Sequence, residues 1–361
     1  MEDLGRRQVK VLVTGHDGYI GTVLTPMLKA EGHDVTGLDS RLYRDCTFGE
    51  SPAEIPCLQA DVRDVTASDL TGFDAVIHLA GLCNDPLGDL DPEVTLDINF
   101  RASVRLAELA REAGVARFLF SSSCSIYGAQ GDDYVTEEGA ARPVTPYGSS
   151  KILAEEGISR LASENFSPTH LRNATVYGAS PRLRGDLVVN NLVAYAFTTG
   201  EVHIKSDGTP WRPLIHVEDV SRAFVTILHA PRELIHDEVF NVGGTEENYR
   251  IREVADAVEA TVPGSKIAYA PGAGPDKRNY RVSCDKLHST LSGFRLKWTV
   301  PRGVVELYEA YRRWGLTYEG FLGSRLMRIA RVQELLDLNH LDGSLRWQVP
   351  RAGAREVTAD V

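Results

Sequence analysis

Residues 9–21 read VKVLVTGHDGYIG. The stretch 9–15 is the pattern of a strand buried on both faces, and a helical stretch follows from about Tyr19 to Glu31, closed by Gly32. Gly15, Gly18 and Gly21 fall between the two as G-x-x-G-x-x-G. Each glycine has a physical task at such a junction. Gly15 permits the sharp turn, Gly18 lets a pyrophosphate approach the backbone, and Gly21 lets helix and strand pack closely. The N–H groups of the helix start, around Tyr19, Ile20 and Gly21, then face the phosphates. With the strand before and the helix after, the spacing points to a dinucleotide.

Outward from this turn, short apolar runs alternate with helical stretches. Strands are predicted at 34–39, 57–62, 75–81, 117–123 and 169–178, and helices at about 92–113 and 147–164. Strands apolar throughout and separated by helices imply a parallel sheet covered on both faces, an α/β doubly wound (Rossmann) fold. Asp39 ends the second strand, where a carboxylate can hold both ribose hydroxyls and so favours NAD over NADP. Arg41 stands close by as a possible receiver of a 2′-phosphate. Asp61 and Val62, ending the third predicted strand, are candidates for the adenine, with an ordinary turn aspartate as the plainer reading.

Past Tyr177 the pattern changes. Residues 179–212 are rich in Gly, Pro and Asn, 214–228 reads as a strand end and a helix, and 239–244 returns to the first architecture. The domain reading is therefore a dinucleotide-binding unit over 8–180 with returns at about 213–244, and a smaller interleaved substrate lobe over 181–212 and 245–318. A helical tail over 319–350 and a frayed end over 351–361 complete it. The tail's apolar positions recur at helical spacing and suit a cover over the site or a neighbouring subunit, or a docked surface helix.

The net charge is -11. An acidic surface repels phosphate backbones and anionic lipid, so nucleic acid and membrane are poor partners. Five cysteines without C-x-x-C spacing read as reduced thiols of a cytoplasmic protein, not as disulfides or a metal site.

Tyr147 and Lys151 form Y-x-x-x-K, which places both on one helix face a turn apart. An ammonium beside a phenol favours the phenolate and prepares the tyrosine to act as a base. The hydroxyl-rich segment SSSCSIYG, residues 121–128, ends a strand at the edge where ligands of such sheets bind.

Together these elements resemble the extended short-chain dehydrogenase/reductases that process nucleotide sugars, the group of UDP-galactose 4-epimerase. The segments that carry the likeness, in order, are TGHDGYIG, Asp39, ADV at 60–62, HLAG at 78–81, SSSCSIYG, YGSSK at 147–151, WRPLIHVEDV at 211–220 and NVGG at 241–244. The resemblance implies NAD as cofactor, a nucleotide-diphosphate sugar as substrate and a homodimer. It implies Ser123, Tyr147 and Lys151 as the catalytic trio, Ser123 being four residues before Tyr127. It implies that Leu79 and Ala80 line the cofactor, and that Asn99 steadies the active-site helix beside it. Asn191 and Arg212 would meet the sugar diphosphate, and Arg278 would be a second arginine there, with Arg281 its rival. Thr175 stands where 4-epimerases carry a substrate-contacting asparagine. Cys124 and Ser125 replace the Asp-Glu pair of the dehydratases, which disfavours 4,6-dehydration. Cys83, Asn84 and Asp85 lie in a loop that should overhang the site.

The reaction this implies is inversion at C4 through a transient 4-keto sugar. A dehydrogenase or ketoreductase on the same scaffold, and a catalytically silent binder of NAD or nucleotide sugar, are the alternatives.

Overall fold

The computed structural model describes residues 8–83, 85–274 and 278–348, with only the backbone of Asp85 and Pro86. Asn84, the Asp85 side chain and residues 349–361 lie outside the described residues.

In chain order, β1 (Lys10–Thr14) turns into α1 (Gly21–Ala30), followed by β2 (Asp34–Asp39), β3 (Cys57–Gln59) and β4 (Ala75–His78). A helical segment Pro92–Leu96 passes through a π segment at Asp97–Arg101 into α2 (Ala102–Glu112). Then come β5 (Arg117–Ser123), β6 (Ala129–Val135), α3 (Pro146–Ser159), β7 (Ser167–Asn173) and β8 (Thr175–Tyr177). The second half holds α4 (Val188–Thr199), β9 (Glu201–Ile204), β10 (Trp211–His216), α5 (Val217–His229), β11 (Glu238–Val242) and β12 (Asn248–Arg250). It closes with α6 (Ile251–Thr261), β13 (Lys266–Tyr269), β14 (Asn279–Val282), α7 (Val300–Trp314) and α8 (Arg328–Asp337).

Seven strands form a parallel sheet in the order β11-β7-β5-β4-β1-β2-β3. Side chains alternate along a strand, and here both faces are covered. Val11 and Val13 pack with Leu24 of α1 and Phe224 of α5. Leu12, between them, joins Leu106 of α2 and Ala154 of α3 on the other face. Phe118 and Phe120 are fully buried on that second face. Each such side chain contributes roughly 1.5–3 kcal/mol relative to exposure. Connections leave β1 in opposite directions toward β2 and β4, so a crevice opens at their carboxyl ends.

Several elements depart from the sequence reading. The third strand ends at Gln59, because Asp61 caps a 3-10 turn over Val62–Asp64 by accepting from the Arg63 N–H. The sixth predicted strand breaks at Ala174. β7 stays in the main sheet, whereas β8 pairs with β10 in a three-stranded sheet completed by β12. The Gly, Pro and Asn-rich stretch contains α4, whose apolar residues Val189, Leu192 and Val193 are buried. β6 and β14, absent from the sequence reading, pair in parallel beside the site. The tail contains two helices, Tyr318–Leu322 and α8. No helix among the described residues is long and apolar enough to cross a membrane.

Candidate active site

The glycine turn is shaped by backbone proximity. Gly15 has φ +73°, and a Cβ there would lie 2.7 Å from the Ala80 nitrogen. A Cβ on Gly21 would collide with the Gly15 carbonyl oxygen, and one on Gly18 would lie 3.1 Å from the same atom. α1 begins with no side-chain cap and no acidic residue in its first turn. Its N-terminal partial positive charge is therefore left to meet an anion. The turn is held from outside. Tyr19 donates from its hydroxyl to the Gly178 carbonyl at 2.7 Å, and Arg182 pairs with Asp17 at 2.6 Å. The cradle thus fits the diphosphate of a dinucleotide.

This turn forms one side of a cavity of about 710 Å³ running from the main sheet to the smaller lobe. At the sheet end it is lined by Gly15, Gly18, Tyr19, Ile20, Gly21, Asp39, Asp61, Val62, Leu79 and Ala80. Asp39 also accepts from the backbone N–H groups of Asp17 and Arg41, at 3.2 and 2.6 Å, which fixes the two loops around it. Burial pushes the Asp39 carboxyl up, while His16 pulls it back. Arg41 does not line the cavity: its guanidinium turns to the Cys57 sulfur. The cation that could have received a 2′-phosphate is therefore engaged elsewhere. Asp61 is bound by Arg63, which donates to both of its carboxylate oxygens, at 2.9 and 2.7 Å.

Ser123, Tyr147 and Lys151 all line this cavity. Local sequence explains the placement of the last two. Thr145 caps α3 by accepting from the Gly148 N–H, and Pro146 opens the first turn. Tyr147 therefore stands in the first turn with Lys151 a turn later. The Lys151 ammonium donates to the Ser121 carbonyl at 2.8 Å and lies 5.9 Å from the centre of the Tyr147 ring. Burial pushes its pKa down, against the opposing charges of Cys83 and Glu155.

The three serines separate by their partners. Ser122 donates to Glu155, and Ser121 accepts from the Asn173 side-chain amide at 3.0 Å. Ser123, at the strand end, exchanges two 3.1 Å contacts with Ser125, donating to the Ser125 hydroxyl and accepting from its N–H.

Asn99 is corrected in position. It is fully buried and lies behind the cavity wall, not on it. Its side chain accepts from Leu82 N at 2.7 Å, donates to Leu82 O at 2.9 Å, and donates to the Ser150 hydroxyl at 3.2 Å. The π segment that carries it, a local irregularity of the kind that recurs at functional sites, lets one residue clamp the loop after β4 to α3.

The far end is lined by Thr175, Asn191, Arg212 and Arg278. Arg212 donates to the carbonyls of Trp211 and Arg278, which keeps the two arginines together. The rival Arg281 is instead stacked between Tyr134 and Trp211, at 4.0 and 4.3 Å, outside the cavity. Of the two adjacent asparagines, Asn190 is structural: it accepts from Gly178 N and donates to Arg184 O. Asn191 reaches the cavity and donates to Gly185 O at 2.7 Å.

Cys124 is buried, bonded to the Arg172 carbonyl and absent from the cavity lining, and burial pushes its thiol up. Cys83 reaches the cavity.

The polar lining residues that escaped the sequence reading include Asn173, Arg184, Asp186, His203, Lys205, Ser206 and Arg328. Asn173 carries a buried side-chain oxygen with no hydrogen-bond partner. Its place two residues before Thr175 in LRNATVYG was the available signal. Among the described residues there is no cluster of side chains suited to a metal ion.

Residues 11–243 match the NAD dependent epimerase/dehydratase family. The UDP-glucose 4-epimerase of Mycolicibacterium smegmatis is 29% identical over 317 residues, covering 84% of this chain and 99% of that protein. The solved structure of MoeE5 in complex with UDP-glucose and NAD superposes with a TM-score of 0.72 at 30% identity, covering 84% of this chain and 99% of that one. The UDP-glucose 4-epimerase of Thermus thermophilus in complex with NAD gives a TM-score of 0.71 at 26% identity, with coverage of 84% and 99%. With the glycine cradle, the switch-point cavity and the Tyr147–Lys151 helix all in place, the chain belongs to the NAD dependent epimerase/dehydratase family.

Proposed function

We propose that this protein catalyses NAD-dependent epimerisation of a nucleotide-diphosphate sugar, at C4. The observation that carries the reading is that Ser123, Tyr147 and Lys151 share one cavity with the glycine cradle on one side and Arg212, Arg278 and Asn191 on the other. The similarity to UDP-glucose 4-epimerases and to MoeE5 with UDP-glucose supports the substrate class.

When bound, NAD supplies a reversible hydride acceptor. The chain's own residues handle the proton and the placement. The Tyr147 phenolate oxygen, favoured by Lys151, takes the proton of the sugar 4-hydroxyl and later returns it, with Ser123 sharing the hydrogen bond. Arg212 and Arg278 hold the diphosphate while the 4-keto sugar turns. Cys124 and Ser125 offer no carboxylate for eliminating water. A homodimer through α2 and α3 belongs to the same proposal, supported by the exposed Leu153 on α3.

The test is a panel of nucleotide sugars followed by proton NMR. The expected result is interconversion of a 4-epimer pair without net NADH. Net accumulation of NADH would replace this reading with a dehydrogenase. Binding without interconversion of the epimers and without NADH would replace it with a silent binder.

A further inference from the structure

The C-terminal segment brings more buried positive charge to the cavity wall than the neighbouring carboxylate neutralises. We propose that Arg328 binds the diphosphate of the dinucleotide, making the tail helix part of the cofactor site. The inference rests on the nucleotide reading above and extends it to residues beyond the matched family segment.

Arg328 opens α8, is 3% exposed, and lines the cavity with Met327 and Ile329. Its guanidinium stacks on the Tyr43 ring at 4.0 Å and donates from Nη2 to the Arg182 carbonyl at 3.0 Å. Its Nη1 is buried without a hydrogen-bond partner. The carboxylate whose charge acts on it, Asp186, receives Arg184 on both oxygens, each at 2.9 Å. Two buried guanidiniums thus face one carboxylate. A buried donor on a charged group is costly unless an anion completes it.

Position selects which anion. Arg182, whose carbonyl holds Arg328, sends its own guanidinium to Asp17 of the glycine turn. Tyr43 lies just past Asp39, at the ribose end. Arg331, a turn along α8, donates to Leu42 O at 3.3 Å and pairs with Asp45 at 2.9 Å. The helix is therefore fastened to the loop after β2, over the dinucleotide end of the cavity. A diphosphate held between the turn and Arg328 would meet donors from two sides, which suits a cofactor kept through many turnovers.

The full chain is titrated calorimetrically with ADP-ribose, adenosine and UDP, as wild type, Arg328→Met and Arg328→Lys. Wild-type failure to bind ADP-ribose would overturn the nucleotide reading itself. Given wild-type binding, Arg328→Met is expected to weaken ADP-ribose roughly 10–100-fold, the loss of a charge-assisted hydrogen bond, with Arg328→Lys intermediate. Adenosine should be unchanged. Unchanged ADP-ribose affinity, or an equal loss for adenosine, overturns the assignment. A loss confined to UDP gives Arg328 to the substrate diphosphate instead. If the variants do not fold, hydrogen exchange on the wild type decides: amides of residues 328–337 should slow with ADP-ribose and not with adenosine. Equal exchange with both overturns the proposal.

Discussion

Glu155 and Arg172 close a two-armed ion pair, 2.7 Å at its shortest, with both side chains buried beneath the helix that carries Tyr147 and Lys151. Glu155 also receives Ser122, and Arg172 reaches the Tyr127 hydroxyl at 3.0 Å and the Glu137 carbonyl at 2.9 Å. The pair fastens α3 to β5 and β7 one turn beyond Lys151. Removing one partner leaves a buried charge alone. Arg172→Met should therefore cost about 3–5 kcal/mol in urea unfolding, and Glu155→Leu combined with Arg172→Met should cost less than the two single changes summed. Additive losses would mean that the two groups are not coupled.

Tyr147→Phe removes the proposed proton acceptor and little volume. Turnover should fall by roughly 10²–10⁴-fold or more while NAD stays bound. Product NMR and the absorbance of retained cofactor measure the two separately. Activity near wild type would withdraw Tyr147 from the mechanism.

Gly21→Ala places a methyl group where backbone already stands, against the carbonyl oxygens of Gly15 and His16. Neither atom is the end of a flexible side chain, so turn and helix must separate. A stability loss of about 1–3 kcal/mol is expected, with NAD binding weakened out of proportion to it. Thermal unfolding with and without NAD gives both, and an NAD shift equal to wild type would contradict the cradle.

His78 is fully buried between Thr14 at 2.6 Å and Ser103 at 2.8 Å, and burial pushes its pKa down to about 3 from 6.5. The folded protein holds it neutral. The stability this represents is complete above about 6.5 and is lost as pH falls toward about 3. The slope from one such group approaches about 1.4 kcal/mol per pH unit. Urea unfolding across this window should show His78→Gln less stable at neutral pH and flatter in acid. His170, also buried and pushed down, accounts for a remaining slope.

How much of this was written in the sequence differs by element. The parallel sheet was legible because its strands are apolar on both faces, and the glycine turn because three glycines sit where strand meets helix. The Tyr147–Lys151 pair was legible because helical spacing alone puts both on one face. The break at Ala174 was not, since β7 and β8 are one continuous run whose halves choose different partner strands. α4 was hidden by the glycines, prolines and asparagines on either side of it.

Local pattern thus determined the fold class, the cradle and the Tyr147–Lys151 helix, because each depends on residues close together in the chain. Tertiary structure alone decided which arginines face the cavity. Arg278 and Arg281 look alike in sequence, yet one meets Arg212 and the other is stacked between Tyr134 and Trp211. Arg328 reads as one of several arginines on an amphipathic tail until folding carries it back to the turn formed more than three hundred residues before it. The reason is physical. A side chain's hydrogen-bonding partners and solvent exposure are set by whatever long-range packing places beside it, and no periodicity in the sequence records that.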